Sequence, residues 1–540
     1  MKRKYLNNKS LCAAVFLYIV FYGGLFSYDN KKMDDYFCNE IKKPFFKIGG
    51  KNKDGAIIIP GRSQGRDFSF IMPKPKGVKR IFIIGESVAG LMYWQIPLVK
   101  DSIKNPEIVN CGMGAYESGR ILDVFIEIMD YEPDLIVVLS GNNEMVGDPC
   151  RGIAAEMRRR LRMIKINAKR IFSGLKMKES EYFINIKTHE ERLRKMVKIA
   201  REKKVPVVLC TLPANMKDFS PFGSLPFEIK NFAKAYFLME TGHYKKAKKI
   251  FEAILTENPK EPFNHFYLAK ILESLGKFNE AKRHYELAIE WDNRMDRSSK
   301  ERNKMIREVT KEEGACLADL EKSFMDVSKN KIIGGDLIVD GVHWFGKHND
   351  FVISQALKFM EKCDNAGAMF KKNKISKLKK MNFGDFKEED DNKKEALEMF
   401  YYGIAFLTNE MKSGKINERA LMIFERAYEA DKNLIYDASK SKESLRKYIK
   451  ENFWTKEIMN PVSVGVWRPD FLHHIAELFR RKGKLNKAKK NIDKALKLAP
   501  KELRFSLTRR LILKGMEKNV SAGDLNEVVL SYNSDLLRKE

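Results

Sequence analysis

The sequence predicts an α/β domain built on a parallel sheet with helices on both faces, joined to all-α repeats and preceded by a membrane-spanning helix. Three observations predict it. From Lys79 onward, short apolar runs alternate with helical stretches, which is how a parallel sheet buried on both faces reads. After Phe227 a self-similarity recurs every 34 residues, the period of a stacked helix pair. At the amino terminus an uncharged apolar run follows a cluster of basic residues.

The amino-terminal segment comes first along the chain. Lys2, Arg3, Lys4 and Lys9 precede the uncharged run Leu11 to Tyr28. As a helix at ~1.5 Å per residue that run extends about 27 Å, close to the thickness of a hydrocarbon core. Basic residues before a span stay in the cytoplasm, so residues 1–10 are expected as a cytoplasmic tail and 11–28 as the anchor, with the remainder outside. No small-x-small cleavage site follows Gly23 and Gly24, which favours an anchor over a removed signal peptide.

The α/β part comes next. Ile81 to Ile84, Glu107 to Asn110, Asp134 to Ser140 and Val205 to Leu212 read as strands, each followed closely by glycine or proline. Gly119 to Tyr131 and Glu190 to Lys204 have helical periodicity between them. After the first repeats the same style returns: Met305 to Glu313 reads as a helix, Ala315 to Leu320 as a strand and Asp336 to His343 as a loop. The α/β domain is therefore expected over 45–226 and 297–365, with 227–296 inserted.

The inserted segment resembles tetratricopeptide repeats. Ala235 matches Ala269, Gly242 matches Gly276, Tyr244 matches Phe278, Ala247 matches Ala281 and Phe251 matches Tyr285. Alanines let paired helices approach, the glycine makes the turn and the aromatics fill the space between neighbours. A further copy is expected at Ala476, Gly483, Leu485, Ala488, Ile492, Ala495 and Pro500, and a degenerate one around Gly414, Ala420, Phe424 and Ala427. These place tail helices over 393–520, after a charged linker at 366–392. Two repeats cannot bury a solenoid core alone, so the insert must pack on the α/β domain or on the tail.

Composition bounds the function. At 540 residues two or three domains are expected, and 44% hydrophobic content is that of a folded protein. The net charge of +29 comes mainly from lysines spread along the chain beside 72 acidic residues. That reads as a solvated surface, not a binding stripe, and no nucleic-acid partner is expected. Seven cysteines without a C-x-x-C pair indicate neither a zinc ribbon nor a dithiol redox site; one bridge is compatible with the odd count. No metal-ligand cluster or cofactor motif stands out. His243, His265, His284, His473 and His474 are read as satisfied surface histidines of the repeats.

Four segments carry chemistry. Ser87 follows Gly85 and Glu86 directly after a strand, where a nucleophile needs an exposed hydroxyl on a tight turn; a serine there also serves as a helix N-cap. Gly112, Gly114 and Ala115 follow the second strand, where small residues let a backbone N–H face a ligand. Asn143 ends the third strand, and its amide can donate to a developing negative charge. Asp340 and His343 form a D-x-x-H pair in which a carboxylate orients an imidazole; His348 is an alternative base without an aspartate three residues before it.

This order, strand-Ser, strand-Gly, strand-Asn and a late D-x-x-H, resembles the four blocks of the SGNH (GDSL-like) hydrolases over 79–225 and 297–362. The resemblance implies a flavodoxin-like parallel sheet, Ser87 as nucleophile, His343 as general base and Asp340 as its orienting partner. It implies an oxyanion hole from the N–H groups of Ser87 and Gly114, or of Ala115 beside it, and the Asn143 amide. Glu86 and Glu144 stand where members of that family usually have aspartate.

The expected function is an extracytoplasmic hydrolase of an acyl ester, an O-acetyl group of an envelope glycan or a lipid. An O-acyltransferase on the same fold and an inactive repeat scaffold are the alternatives. Expected partners are the ester substrate, a protein or peptide bound by the repeats, and the membrane through the anchor.

Overall fold

The computed structural model describes residues 43–61, 68–91, 97–144, 177–363, 369–371, 392–413, 418–433, 467–500 and 503–516, apart from 224, 227, 228, 230, 241 and 293. The expected tail 1–10, the anchor 11–28, Gly414 and most of the linker lie outside these residues. Among the described residues no helix is long and apolar enough to cross a membrane.

The chain divides into two compact units, one of residues 1–75 and 147–181, the other of 76–146 and 182–540. In the first, β1 (Phe46–Asn52), β2 (Gly55–Pro60) and β3 (Phe70–Met72) form an antiparallel sheet in that order. Phe45, Phe46, Phe68 and Phe70 cluster with ring centroids 5.1–6.3 Å apart. These strands went unread within the expected 45–226 segment, because Gly49 and Gly50 break the alternation where the register shifts.

The second unit holds a five-stranded sheet: β4 (Lys79–Gly85), β5 (Pro106–Gly112), β6 (Leu135–Leu139), β7 (Val207–Thr211) and β8 (Cys316–Asp319). All its pairings are parallel and the order is β5-β4-β6-β7-β8. This is the flavodoxin-like order, in which the direction of winding reverses beside the first strand and leaves a crevice at the carboxyl ends. Ile81 and Ile83 point into one core and Phe82 and Ile84 to the opposite face, yet all four are fully buried, so both faces of the sheet are covered.

The helices of the α/β part are α1 (Ser87–Leu91), α2 (Pro97–Ser102), α3 (Ser118–Ile128) and α4 (Met177–Glu202). The repeat insert supplies α5 (Phe232–Glu240), α6 (Tyr244–Glu257), α7 (Pro262–Ser274) and α8 (Phe278–Glu290). The α/β part resumes with α9 (Lys300–Glu313), α10 (Leu320–Val327) and α11 (Asn349–Met360). The tail adds α12 (Asn392–Ser413), α13 (Glu418–Ala430), α14 (Trp467–Arg481), α15 (Leu485–Leu498) and α16 (Leu503–Met516).

Capping explains where the expected boundaries moved. α9 starts before Met305 because the Ser299 hydroxyl accepts from the Arg302 N–H, and it ends on Gly314 at φ 68°. Leu320 leaves the expected strand because the Asp319 carboxylate caps α10 through the Lys322 N–H. α4 begins well before Glu190, in a polar stretch without a sharp start signal.

In the repeats the matched residues do what their spacing demands. Ala235, Ala247, Ala269 and Ala281 are fully buried between helices, and Gly242, Gly276 and Gly483 make the turns at φ 67–79°. The insert does not bury itself alone: Phe232, Phe251, Phe263, Tyr267 and Tyr285 share one apolar cluster with Ile81, Val137 and Val208 of the sheet. The tail forms a second cluster, Phe400, Phe424, Phe471, Ile475 and Phe505, joined by Phe219, Val339 and Phe345 from the α/β loops.

His265, His473 and His474 correct the surface reading: all three are buried, with one ring nitrogen paired to the Pro259 carbonyl, the Thr508 hydroxyl and the Asp470 carbonyl respectively. A histidine whose ring packs against aromatic neighbours in a repeat is apolar enough to bury once one nitrogen is paired. Cys316 and Cys363 form a disulfide, while Cys111 and Cys210 are buried and free.

Candidate active site

Ser87 is placed by the turn that ends β4. Gly85 has φ 153°, and a Cβ there would lie 2.2 Å from the Leu139 carbonyl oxygen, so only glycine lets β4 turn into α1 this close to β6. Gly112 at the end of β5 is equally forced, since its Cβ would meet the Gly90 nitrogen at 2.1 Å. Asn110 closes the packing: its Nδ2 donates to the Ala89 carbonyl at 3.0 Å and its Oδ1 accepts from the Gly112 N–H at 2.9 Å.

The loop before α11 brings Asp340 and His343 to this turn. Asp340 Oδ1 accepts from the N–H groups of Val342 and His343 at 2.8 and 2.7 Å. Its Oδ2 lies 2.7 Å from His343 Nδ1, and His343 Nε2 lies 2.7 Å from Ser87 Oγ. The Nδ1–H donates to the carboxylate, which leaves Nε2 to accept the serine proton. Burial alone would lower the His343 pKa, yet the Asp340 charge and hydrogen bond, with help from Glu398, hold it above the usual histidine range. Asp340 is buried, which pushes its carboxyl up, but the charge and hydrogen bonds of His343 and the Val342 N–H keep it below the ordinary value. A hydroxyl, an imidazole and a carboxylate joined in this way can generate a nucleophilic oxygen.

The other predicted residues share the same edge of the sheet. Gly114 lies in an exposed turn past β5, beside Ala115, which carries the left-handed φ of 59°. Asn143 follows β6, on the far side of β4. Neither is hydrogen-bonded to Ser87 or His343. His348 does not compete as base, because its Nε2 faces the Asp336 carbonyl at 3.3 Å.

Glu86 and Glu144 are structural. Glu86 Oε1 accepts from the Asn142 N–H at 2.9 Å and ties the two turns, while its Oε2 has no partner and burial pushes the carboxyl up to about 8. Glu144 accepts from the Ser118 N–H and hydroxyl at 2.9 and 2.6 Å. Burial raises its pKa, but the charges of His189 and Arg302 outweigh that and hold it low. His189, pushed down to about 4 by burial, bridges the Ser140 hydroxyl and the Arg302 guanidinium at 3.1 and 3.2 Å. Both glutamates reach partners on neighbouring segments, Glu86 on the turn after β6 and Glu144 at the start of α3.

Sequence reasoning missed the residues that hold the His343 loop. Asn215, just past β7, donates to the Asp340 carbonyl at 2.8 Å and its N–H to the Gly341 carbonyl at 3.0 Å. From the tail, Arg426 donates to the carbonyls of Val339 and Gly335, the first at 2.9 Å. Arg419, fully buried, holds the neighbouring segments instead, donating to the Ser220 carbonyl and to Asp292 and Asp296. Asn215 sits after a strand like Ser87 and Asn143, which was a readable signal; the arginines lie on the helix α13 and gave none.

The repeats and the α/β part each have counterparts among known proteins. The tetratricopeptide repeat model matches residues 231–261, 265–294 and 469–502, so the insert and the distal tail carry the repeat, and the degenerate copy around Ala420 is outside the matched stretches. No curated protein matches the chain. Among solved structures it is similar to a GDSL-like lipase from Bacteroides thetaiotaomicron, at 13% identity over 52% of this chain and 88% of that one, TM-score 0.26. It is also similar to a putative acylhydrolase from Bacteroides fragilis, at 12% identity over 52% and 86%, TM-score 0.27. A lipase/acylhydrolase from Enterococcus faecalis is similar at 14% identity over 54% and 97%, TM-score 0.26. Likenesses at such low TM-scores carry no argument about activity, and the chemistry of this chain is read from the geometry of Ser87, His343 and Asp340.

Proposed function

We propose that this chain is a serine esterase that hydrolyses an acyl ester through Ser87, His343 and Asp340. The observation that carries the reading is the unbroken run of 2.7 Å contacts from Asp340 through His343 to Ser87, made by residues 256 positions apart. Ser87 Oγ attacks the ester carbonyl as Nε2 takes its proton, and the imidazolium, stabilised by Asp340, returns it to the departing alcohol. Water then repeats the sequence on the acyl-enzyme and releases the acid. In the proposed oxyanion hole the Ser87 N–H, the N–H of Gly114 or Ala115 and the Asn143 amide hold the tetrahedral oxygen; their places at the ends of β4, β5 and β6, around the winding reversal, support this.

The proposed substrate is an O-acetyl ester of an envelope glycan, or a lipid ester, met outside the cytoplasm. The uncharged run 11–28 behind its basic flank and the Cys316–Cys363 disulfide support that location, since disulfides persist in oxidising compartments.

The test is labelling by a fluorophosphonate probe and release of p-nitrophenol and acetate from model esters. Wild type should label and turn over, and Ser87→Ala should do neither; equal labelling of both refutes the reading. Asn143→Ala should slow kcat by ~10²–10³-fold if its amide holds the oxyanion. Because the His343 pKa is raised above 6.5, kcat/KM should climb with pH through a value above 6.5 and fall away below it as Nε2 becomes protonated.

A further inference from the structure

One stripe of α12 runs along the catalytic loop. Glu395 pairs with Lys347, four residues past His343. Phe406 meets Phe219 edge to face at 5.1 Å. Between them the Tyr402 ring lies on the His343 imidazole, with centroids 5.3 Å apart and 27° between the planes. These residues recur at helical spacing, so a single face of the tail's first helix faces this loop and Phe219, whose ring lies beneath Gly341. Phe345 and Val339, on either side of His343, are buried in the tail's own apolar cluster.

We infer that Tyr402 is a positioning residue of the active site, its ring holding the His343 imidazole in the plane that joins Asp340 to Ser87. The inference rests on the reading of His343 as the general base. During turnover the imidazole must accept a proton from Ser87 and then release it to the leaving group without rotating about its Cβ–Cγ bond. A ring stacked on one face blocks that rotation. The same face, rich in π-electron density, favours the imidazolium over the neutral ring. The charged and titratable groups acting on His343 are Asp340 from its own loop, Ser87 from the start of α1 and Glu398 from α12. Arg419 and Arg426 from α13 act on Asp340 in turn. Tyr402 supplies the contact that none of these charges can, a flat apolar wall. The tail helices are thereby part of the active site.

The test compares Tyr402→Phe, which keeps the ring, with Tyr402→Leu, which keeps an apolar helical residue without one, both in the full chain. Tyr402→Phe should retain kcat and the pH profile within about twofold. Tyr402→Leu should lose about tenfold in kcat with KM little changed, and the acid limb of kcat/KM should move down by about half a pH unit as the imidazolium loses its π face. The His343 imidazole is followed separately by NMR titration, its signal identified by its absence in His343→Gln, so a readout exists without turnover. An unchanged titration and rate in Tyr402→Leu would overturn the inference, as would an equal loss in Tyr402→Phe. Absence of Ser87 labelling in wild type would instead refute the nucleophile assignment, with the titration still reporting whether the stack exists.

Discussion

The two blocks of helical repeats follow the same pattern and have different neighbours. In the insert, Ala247, Ala281, Phe251 and Tyr285 occupy the repeat positions, and the cluster they build continues into the strands β4, β6 and β7. In the tail, Ala476, Ala488 and Ile492 occupy them, and the cluster continues into Phe219, Val339 and Phe345, the loops on either side of the site. The insert's cluster is centred on the sheet, although Ile338 and Trp344 of the loop also belong to it, whereas the tail covers Val339 and Phe345 and bonds directly to the loop that carries Asp340 and His343 through Arg426. Identical local patterns can serve stability in one place and geometry in another, because what decides the role is the surface each block finds to cover.

The largest effect should come from the insert. Phe251 is fully buried and meets Phe232 edge to face at 5.6 Å. Phe251→Ala should cost ~3–5 kcal/mol in chemical denaturation, and the molecules that remain folded should label at Ser87 as wild type does. A tail substitution should show the converse. Arg426→Met keeps the apolar stem of the side chain and removes its bonds to the carbonyls of Gly335 and Val339. It should cost ~1–3 kcal/mol, with kcat falling by about tenfold in protein that is fully folded. Should Arg426→Met lose stability and keep full kcat, the tail would be a buttress like the insert, and the contrast between the blocks would collapse.

Much of this was legible in the sequence, for a physical reason that also explains what was not. Parallel strands buried on both faces give apolar runs too short for helices, so β4, β6 and β7 were readable within a residue or two. Ser87 could be picked out because it sits on the tight turn that ends a strand, and Asp340 and His343 because a carboxylate three residues before a histidine can orient its imidazole. Tyr402 and Arg426 could not, because on a helix a tyrosine or arginine has the same spacing whether it faces solvent or the loop of Asp340 and His343. What fixes their role is which of two similar helix pairs docks against which loop, and that is set by tertiary packing. The antiparallel strands β1–β3 were hidden for a local reason, the glycines at 49 and 50 that interrupt their alternation.

Glu86 offers a reference that neither block touches, since its hydrogen-bond partners belong to the α/β part. Its carboxyl is pushed by burial from an ordinary 4.5 to about 8. Between those values the folded protein keeps a proton that the unfolded chain has released, so stability falls as pH rises through this window. Glu86→Gln mimics the neutral acid. It should melt with wild type near pH 4.5 and several degrees above it beyond pH 8. A variant that gains nothing at high pH would show that Glu86 is already ionised in the folded state.

The smallest effect bears on whether the two blocks act separately, because they meet. Glu418 of α13 accepts from the hydroxyls of Tyr236 and Tyr267 of the insert, the first at 3.3 Å, and from Arg481 of α14 at 2.8 Å. Glu418→Gln keeps an acceptor for the tyrosines and removes the charge that faces Arg481, so about 1 kcal/mol should be lost. If the insert serves the core and the tail serves the loop, that loss should appear in the melting temperature alone, because the joint lies outside the contacts that hold His343. A fall in kcat comparable to that of Arg426→Met would mean that strain at the joint reaches the loop through α13, the helix that carries both Glu418 and Arg426. The blocks would then be one lever, and a ligand bound to the insert could change the rate at Ser87.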